Sequence, residues 1–260
     1  MCRMVCYLGP PLTLAELLLD PEHGLAQQAH APRYQTHGTM NADGFGAGWY
    51  DLARSQTPAL YRRAAPIWSD RSFDGIARLV VSGAVLAAVR SATPPLPVHE
   101  FNTPPYASGP WLFAHNGAID GFAGETGVTL RRLLPAARAA AIEGSTDSET
   151  LFAFVLAALD RGAGPAAALR DAIQTVETVA SGRMTMLMTD GRRAVAVARG
   201  DSLFLRDAGD AVTVASEPFG GDDDWMRIPD RSIVTAAPHD IHIGPLDEPD
   251  HATDAAKEFA

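Results

Sequence analysis

Cys2 is the residue best suited to chemistry in this chain of 260 residues, which contains only one other cysteine. It follows the initiator methionine in the stretch MCRMVCYLG. Because chain ends usually fray, a reactive thiol there requires an end that is held in a sheet. Removal of Met1 would give Cys2 a free α-amine, which titrates near about 8. This amine could take the thiol proton, so that one residue supplies both nucleophile and base.

A pair of hydrogen-bond donors is the second requirement of acyl transfer, and the stretch AHNG at 114–117 offers one. The side-chain amide of Asn116 and the backbone N–H of Gly117 could both point at an oxyanion as it forms. Taken alone, an Asn-Gly pair at the end of an apolar strand is better explained by a hairpin turn.

Two charged residues add what a glutamyl-like substrate needs, since its α-carboxylate and α-ammonium must both be held. Arg90, in AVRSAT, offers a bidentate fork at the end of a predicted strand. Asp147, in STDSE, offers a carboxylate near a predicted helix start. Taken alone, Arg90 fits a surface cation and Asp147 a helix cap. The four features together favour a site for γ-glutamyl amides.

The elements that must position these residues are predicted as strands, then helices, then strands again. Apolar alternation predicts early strands, followed by WLFAHNGAI at 111–119. Helical patterns lie within 145–162 and over 165–180, and at 12–20 Thr13 and Glu16 have the spacing of a capping box. A second run of strands follows. This order is typical of an α+β fold with antiparallel sheets packed face to face under helices.

The segment 91–110 contains six prolines, which predicts a long loop without regular structure, a kind that is usually functional. No linker divides the chain. We therefore expect one domain over 1–246, followed by an acidic tail at 247–260 with little structure.

Composition narrows the class of protein. The formal net charge of −10 argues against a nucleic-acid or anionic-membrane surface. No apolar run approaches the ~18 residues of a membrane span, and the N-terminus lacks a signal-peptide pattern, so a cytoplasmic protein is expected.

Cys2 and Cys6 would lie about 13 Å apart on a strand. Since a disulfide requires Cα atoms within about 7 Å of each other, two free thiols are expected. Cys6 is then expected to be a small buried apolar residue.

Six stretches of the sequence resemble the class II glutamine amidotransferases, a family of N-terminal-nucleophile (Ntn) hydrolases. They are MCR at the start, HGTMNADGFG (37–46), VRSAT (89–93), NTPPY (102–106), AHNG (114–117) and TDSE (146–149). No single stretch is specific, but the set is specific as a whole, and the resemblance covers about 1–246. The resemblance implies a four-layer αββα sandwich of two antiparallel sheets.

The resemblance also implies a role for each matching residue. Cys2 would be the nucleophile, and Asn116 with Gly117 would form the oxyanion hole. Arg90 would hold the substrate α-carboxylate and Asp147 the α-ammonium.

Further residues are implied to shape the pocket. Asn41, Asp43 and Gly44, in the NADGFG motif, would lie beside the nucleophile. Thr93 would support the loop that carries Arg90 or contact the carboxylate itself.

The partner implied by the resemblance is a small-molecule γ-glutamyl substrate, with no nucleic acid and no membrane. No metal and no organic cofactor is implied, and a homodimer is left open. For a leaving amine that bears a quaternary ammonium group, aromatic residues near the predicted loops are candidates for cation–π contact. These are Trp68, Tyr106 and Trp111.

Three functions remain open at this point. The first, favoured because no synthase domain accompanies the matching region, is hydrolysis of a γ-glutamyl amide through a thioester on Cys2. The second is a glutaminase subunit that supplies ammonia to a separate synthase, or a γ-glutamyl hydrolase or transferase of another pathway. The third is a catalytically silent binding module, which the intact set of Cys2, Arg90, Asn116 and Asp147 argues against.

Overall fold

The computed structural model describes residues 2–221 and 224–248, and two antiparallel sheets face each other in it. The helices of this part of the chain are α1 (Leu14–Leu18), α2 (Leu25–Gln28), α3 (Arg71–Ala77), α4 (Glu125–Leu133), α5 (Ala136–Ala140), α6 (Asp147–Asp160) and α7 (Pro165–Glu177). The strands are β1 (Cys2–Thr13), β2 (Phe45–Trp49), β3 (Ala59–Arg63), β4 (Val81–Arg90), β5 (Tyr106–Ser108), β6 (Trp111–Ile119), β7 (Gly182–Thr189), β8 (Ala194–Ala198), β9 (Phe204–Asp207), β10 (Val212–Ala215), β11 (Met226–Arg227), β12 (Ser232–Ala237) and β13 (Asp240–Pro245). Short 3₁₀ turns cover Ile67–Ser69 and Glu100–Asn102.

The strand order places the start of β1 at the centre of one sheet. That sheet has seven strands in the order β11-β9-β10-β1-β4-β2-β3, and the other has six in the order β13-β12-β8-β7-β6-β5. Strand β1 therefore lies between β10 and β4. Strand β6, which contains the Asn-Gly pair, belongs to the facing sheet.

Three apolar clusters fill the spaces between the layers. The central one joins the two sheets, with Met4 and Leu86 from one and Leu187 from the other. A second packs α6 and α7 on the outer face of the six-stranded sheet. The third packs α1 and α3 on the outer face of the seven-stranded sheet. The expected four-layer αββα sandwich is thereby confirmed.

The side chains of β1 alternate between these clusters, as strand geometry requires. Val5 and Tyr7 pack under the helices, whereas Met4 and Cys6 face the other sheet. Cys2 has the same parity as Met4 and Cys6, so its side chain lies on the face directed at β6. Both cysteines are free thiols, and burial raises the pKa of Cys6 to about 12.

Local signals in the sequence account for α1. The Thr13 hydroxyl accepts a hydrogen bond from the Glu16 N–H at 3.1 Å, and the Glu16 carboxylate accepts one from the Thr13 N–H at 2.7 Å. This reciprocal pair is the predicted capping box.

Two local expectations are wrong. Asn116 and Gly117 lie inside β6 instead of in a hairpin turn, because the pairing of this strand with β7 continues as far as Ile119. The segment 91–110 is also not wholly irregular: it contains a 3₁₀ turn and β5, whose Tyr106 pairs with Phe113 on β6. In each case pairing with a neighbouring strand outweighs the local turn and proline signals.

The predicted domain boundary stays a prediction. Leu246 is buried, and its carbonyl accepts a hydrogen bond from Arg170 Nε at 2.8 Å. Most of the predicted tail, 249–260, lies outside the described residues. Over 2–221 and 224–248, none of the helices has the length and apolar character that crossing a membrane would require.

Candidate active site

Cys2 begins β1, where its neighbours come from both sheets. Its partner in the β1–β4 register is Arg90, the last residue of β4. Its backbone N–H donates to Asn116 Oδ1 at 2.9 Å, across the gap between the sheets. Cys2 is only partly buried. The end of the chain is thus tied into a sheet, as a reactive thiol at this position requires. Met1, whose removal would free the α-amine of Cys2, lies outside the described residues.

Asn116 is fully buried, and only one of the two polar atoms of its side-chain amide has a hydrogen-bond partner. Oδ1 accepts the Cys2 N–H, whereas Nδ2 has no hydrogen-bond partner within the described part of the chain. A buried donor without a partner costs about 1–3 kcal/mol. Such a cost is expected at a site where a ligand atom supplies the missing acceptor.

Gly117 follows in the same strand, and the surroundings leave no room for a side chain. A Cβ at this position would overlap the Arg183 carbonyl and approach His115 Nε2 to 2.6 Å. Its φ of +157° also disfavours other residues. Gly117 therefore packs closely against the backbone of β7, next to Asn116 in the chain.

Arg90 is a buried cation, 3% exposed, on the β4 side of Cys2. Both terminal nitrogens of its guanidinium lie 3.4 Å from the Pro97 carbonyl oxygen. That oxygen also accepts a shorter bond, of 3.0 Å, from Asn102 Nδ2. Since a guanidinium has five N–H donors, Arg90 retains capacity for an anionic ligand.

Asp147 is the first residue of α6, and its carboxylate joins this helix to β6. Oδ2 accepts the Ile119 N–H at 3.0 Å and Oδ1 accepts the Ser148 N–H at 2.8 Å. Thr146 is the N-cap, because its hydroxyl accepts the Glu149 N–H at 3.2 Å. The helix-cap reading of Asp147 is therefore wrong.

Asp43 and Gly44 brace the chain at Arg90. The Asp43 N–H donates to the Arg90 carbonyl at 2.9 Å, and the Arg90 N–H donates to the Gly44 carbonyl at 2.7 Å. The Asp43 carboxylate accepts the Ala92 N–H at 2.7 Å. Gly44 has φ +147°, and a Cβ there would lie 2.6 Å from Thr103 Oγ1. These residues fix the backbone that carries Arg90.

Asn41 and Thr93 are placed differently. Asn41 is fully buried, and its Nδ2 donates to Gln35 Oε1 at 2.9 Å and to the Gln28 carbonyl at 3.3 Å. Thr93 is exposed in the turn beyond β4, where its carbonyl accepts the Leu96 N–H at 2.9 Å. Among the residues predicted for catalysis and for binding the γ-glutamyl group, Thr93 alone is exposed.

A buried ion pair beside Cys2 is a feature that the sequence analysis missed. Arg3 Nε donates to the Cys2 carbonyl at 2.7 Å, and its Nη1 lies 2.9 Å from Glu217 Oε1. Both side chains are fully buried. Burial lowers the pKa of Arg3, and Glu217 opposes this effect. The signal in the sequence was a charged residue within each of two apolar strand ends, MCRMVC and AVTVASEP.

Glu217 also organises the loop that precedes the NADGFG motif. Its Oε2 lies 2.8 Å from His23 Nε2 and accepts the Arg33 N–H at 2.8 Å, while Oε1 accepts the Tyr34 N–H at 3.0 Å. One carboxylate thus connects the residue after the nucleophile with the loop at 33–34.

His115, next to Asn116, was also missed. Its Nε2 is 3.0 Å from the Arg183 carbonyl, and its Nδ1 is 3.0 Å from Ser148 Oγ. Because a carbonyl only accepts, Nε2 carries a proton. The buried ring therefore links β6 to β7 and to the start of α6, immediately before the Asn-Gly pair.

The three aromatic candidates do not form one site. Tyr106 is buried, its hydroxyl lies 2.8 Å from Thr146 Oγ1, and burial raises its pKa. Trp111 packs against the cluster under α6 and α7. Trp68 is exposed beside His30, with ring centroids 5.6 Å apart.

The site therefore combines a partly buried thiol, an unpartnered amide donor, a buried cation and a buried carboxylate. This set can bind an amino-acid end and polarise a carbonyl beside the thiol. Over 2–221 and 224–248, no group of three or more His, Cys, Asp and Glu side chains is placed to hold a metal ion.

Comparison with known proteins identifies the family of the chain. Residues 27–221 match the family described as class-II glutamine amidotransferases. The chain belongs to this family, and together with the hydrolase-named relatives this supports an amidohydrolase with an N-terminal cysteine.

Two curated relatives are similar over nearly their full length. The chain is 40% identical to the γ-glutamyl-hercynylcysteine sulfoxide hydrolase of Mycobacterium tuberculosis (strain CDC 1551 / Oshkosh), over 95% of this chain and 97% of the relative. It is 39% identical to the protein of the same name from Mycolicibacterium smegmatis, over 95% of this chain and 100% of the relative. Among solved structures, the fold resembles a class-II domain protein from Silicibacter pomeroyi, with a TM-score of 0.68 and 24% identity over 94% of this chain and 99% of that one.

Proposed function

We propose that the protein hydrolyses γ-glutamyl-hercynylcysteine S-oxide to hercynylcysteine S-oxide and glutamate, a step of ergothioneine biosynthesis. Identities of 39–40% to hydrolases named for this substrate, over 95% of the chain, support the assignment. The chemistry of the site supports the γ-glutamyl part of the assignment, since Arg90, Asp147 and Asn116 are complementary to an α-carboxylate, an α-ammonium and an oxyanion.

The observation that carries the proposal is that the Asn116 amide is hydrogen-bonded through its oxygen but not through its nitrogen. Its Oδ1 holds the nitrogen of Cys2, and its Nδ2 is buried without a partner among the described residues. In a tetrahedral intermediate the carbonyl oxygen becomes negative, and a preorganised donor stabilises it. Nδ2 supplies that donor, together with the N–H of Gly117.

The amino-acid end of the substrate is recognised by charge. Arg90 binds the α-carboxylate, because its two terminal nitrogens make only long contacts, of 3.4 Å, with Pro97. Asp147 binds the α-ammonium, since a carboxylate has about four acceptor positions and two backbone N–H groups use only part of them. A γ-glutamyl group presents both charges at the end opposite the scissile bond.

The reaction proceeds in two stages on one residue. Removal of Met1 leaves an α-amine on Cys2, which takes the thiol proton as sulfur attacks the γ-carbonyl carbon. The protonated amine then gives this proton to the departing nitrogen, and the C–N bond breaks to leave a thioester. Water attacks the thioester with the amine again as base, which releases glutamate and regenerates the thiol.

Glutamate release tests the proposal when it is measured side by side on γ-glutamyl-hercynylcysteine S-oxide and on glutamine, with Cys2→Ala as control. The expected result is efficient release from the S-oxide that the Cys2→Ala variant lacks. Release from glutamine alone would identify an ammonia-supplying enzyme and contradict the substrate assignment. Release from neither, with Met1 shown to be absent, would refute it as well.

We further propose that the catalytic domain spans 1–246 and acts in the cytoplasm. Free thiols at both cysteines support a reducing compartment.

A further inference from the structure

A cavity of about 570 Å³ has a volume typical of small-molecule sites. One wall is the loop at 33–36. The other is formed by 200–202 and 227–230. None of the predicted site residues lines it.

The first wall is fastened to the β10 side of Cys2. Strand β1 has β4 on one side and β10 on the other, and the chain leaves β10 through Ser216, whose N–H donates to the Met4 carbonyl at 2.9 Å. Glu217 then accepts the N–H groups of Arg33 and Tyr34 in the cavity wall. Arg90 ends β4, on the opposite side of Cys2.

The second wall is fastened beside the oxyanion donor. Thr185 on β7 is the register partner of Asn116. Its hydroxyl donates to the Asp201 carbonyl at 3.1 Å and accepts the Asp201 N–H at 3.2 Å. The Asp201 carboxylate, almost fully buried, is held 3.1 Å from Arg183 Nε. The first wall is therefore connected to β1 two residues after Cys2, and the second to the residue paired with Asn116.

A γ-glutamyl amide places its amino-acid end and its leaving amine on opposite sides of the carbonyl that Cys2 attacks. If Arg90 holds the amino-acid end on the β4 side, the leaving amine extends toward β10. We propose that the cavity beside Tyr34 and Asp201 is the subsite for the leaving amine, and that it takes a zwitterion with a quaternary ammonium and a carboxylate. This inference rests on the proposed function and assigns a binding site to the leaving amine, which the catalytic residues do not contact.

The chemistry of the lining fits such a zwitterion. Tyr34 is 41% exposed and packs edge-on against Phe204, with centroids 4.9 Å apart, so one aromatic surface is available to a quaternary ammonium. The exposed carboxylate of Asp230, which accepts the Gly200 N–H, adds negative charge. The exposed guanidinium of Arg227 lies in the same lining and suits a carboxylate.

Substrate discrimination tests the subsite. In Tyr34→Leu and in Arg227→Gln, the ratio of kcat/KM for the S-oxide to kcat/KM for glutamine should fall by about tenfold, since a cation–π or charge-assisted contact is worth on the order of 1–2 kcal/mol. Trp68→Leu is the matched aromatic control, because Trp68 is similarly exposed but lies outside this cavity. An unchanged ratio in both cavity variants, or an equal fall in Trp68→Leu, would overturn the inference.

A binding measurement separates this inference from the proposed function. Calorimetry on the Cys2→Ala protein should show binding of hercynylcysteine S-oxide, weakened about tenfold by Tyr34→Leu. Absence of binding, or equal affinity in the variant, would refute the subsite even if the wild-type enzyme cleaves the S-oxide. Failure of the wild-type enzyme to cleave it, with binding intact and sensitive to Tyr34, would refute only the proposed reaction.

Discussion

Cys2 and Asn116 are separated by 114 positions in the chain, yet the nitrogen of the first and Oδ1 of the second are 2.9 Å apart. The Cys2 nitrogen donates this hydrogen bond, so Oδ1 is the end of the Asn116 amide that faces it. Nδ2 must then point away from that nitrogen. One hydrogen bond therefore orients both the nucleophilic residue and the donor that awaits the oxyanion.

The Asn116→Asp variant separates the two roles of Asn116, which are to hold the Cys2 nitrogen and to donate to the oxyanion. Aspartate keeps an acceptor for the Cys2 N–H but lacks the Nδ2 donor and adds negative charge near the developing oxyanion. We expect kcat to fall by about 10²–10³ with little change in KM, which is the usual effect of removing one oxyanion-hole donor. Steady-state kinetics on the S-oxide measure this, and a kcat equal to that of the parent would exclude Asn116 from the oxyanion hole.

The Arg90→Lys variant tests recognition of the α-carboxylate. Lysine keeps the charge but loses the fork, and a hydrogen bond to a charged group contributes about 1.5–3 kcal/mol. The KM for the S-oxide should therefore rise by at least about tenfold. Arg54→Lys, at an exposed position, is the control. If Arg90→Lys binds substrate as well as the control does, Arg90 does not hold the carboxylate.

The two cysteines should differ sharply toward alkylation. Burial raises the pKa of Cys6 to about 12, so at pH 8 this residue is a protonated thiol, whereas the thiolate is the reactive form. Iodoacetamide should therefore modify the native protein at Cys2 alone and both cysteines after unfolding in denaturant. Peptide mass spectrometry locates the label. Modification of Cys6 in the native protein at this pH would show that the inter-sheet core is open.

The pair of Arg3 and Glu217 should be essential for stability. The Glu217→Gln substitution leaves the fully buried Arg3 guanidinium without its counter-charge. Breaking a buried pair in this way costs about 3–5 kcal/mol in the free energy of unfolding. Denaturant titration measures the loss. The exposed pair of Arg78 and Asp74 provides the control, since Asp74→Asn should change stability by less than about 1 kcal/mol. Similar effects of the two variants would argue against a structural role for the buried pair.

Much of the fold could be predicted from the sequence because its signals are local. The capping box of Thr13 and Glu16 defines the start of α1, and apolar alternation defines β1 and β6. The positions of Cys2, Arg90, Asn116 and Asp147 came from motif resemblance and chemical type, and the structure brings them to one end of the two sheets.

The features that were missed depend on contacts between distant segments. Glu217 lies 214 residues from Arg3, so the sequence shows a charged residue in each of two apolar strand ends but not that the two residues pair. The Asn-Gly signal for a turn was misleading at 116–117 because pairing with β7 holds that segment extended. The three aromatic candidates lie in separate places for a related reason: proximity in loops does not predict which side of the sheets a ring occupies.

Capture of the acyl-enzyme is the most direct test of Cys2 as the nucleophile. Rapid acid quenching of the enzyme with γ-glutamyl-hercynylcysteine S-oxide, followed by peptide mass spectrometry, should show one γ-glutamyl group on the peptide that begins with Cys2. The Cys2→Ala protein should show none. A γ-glutamyl group on any other residue, or undiminished turnover in Cys2→Ala, would contradict the mechanism.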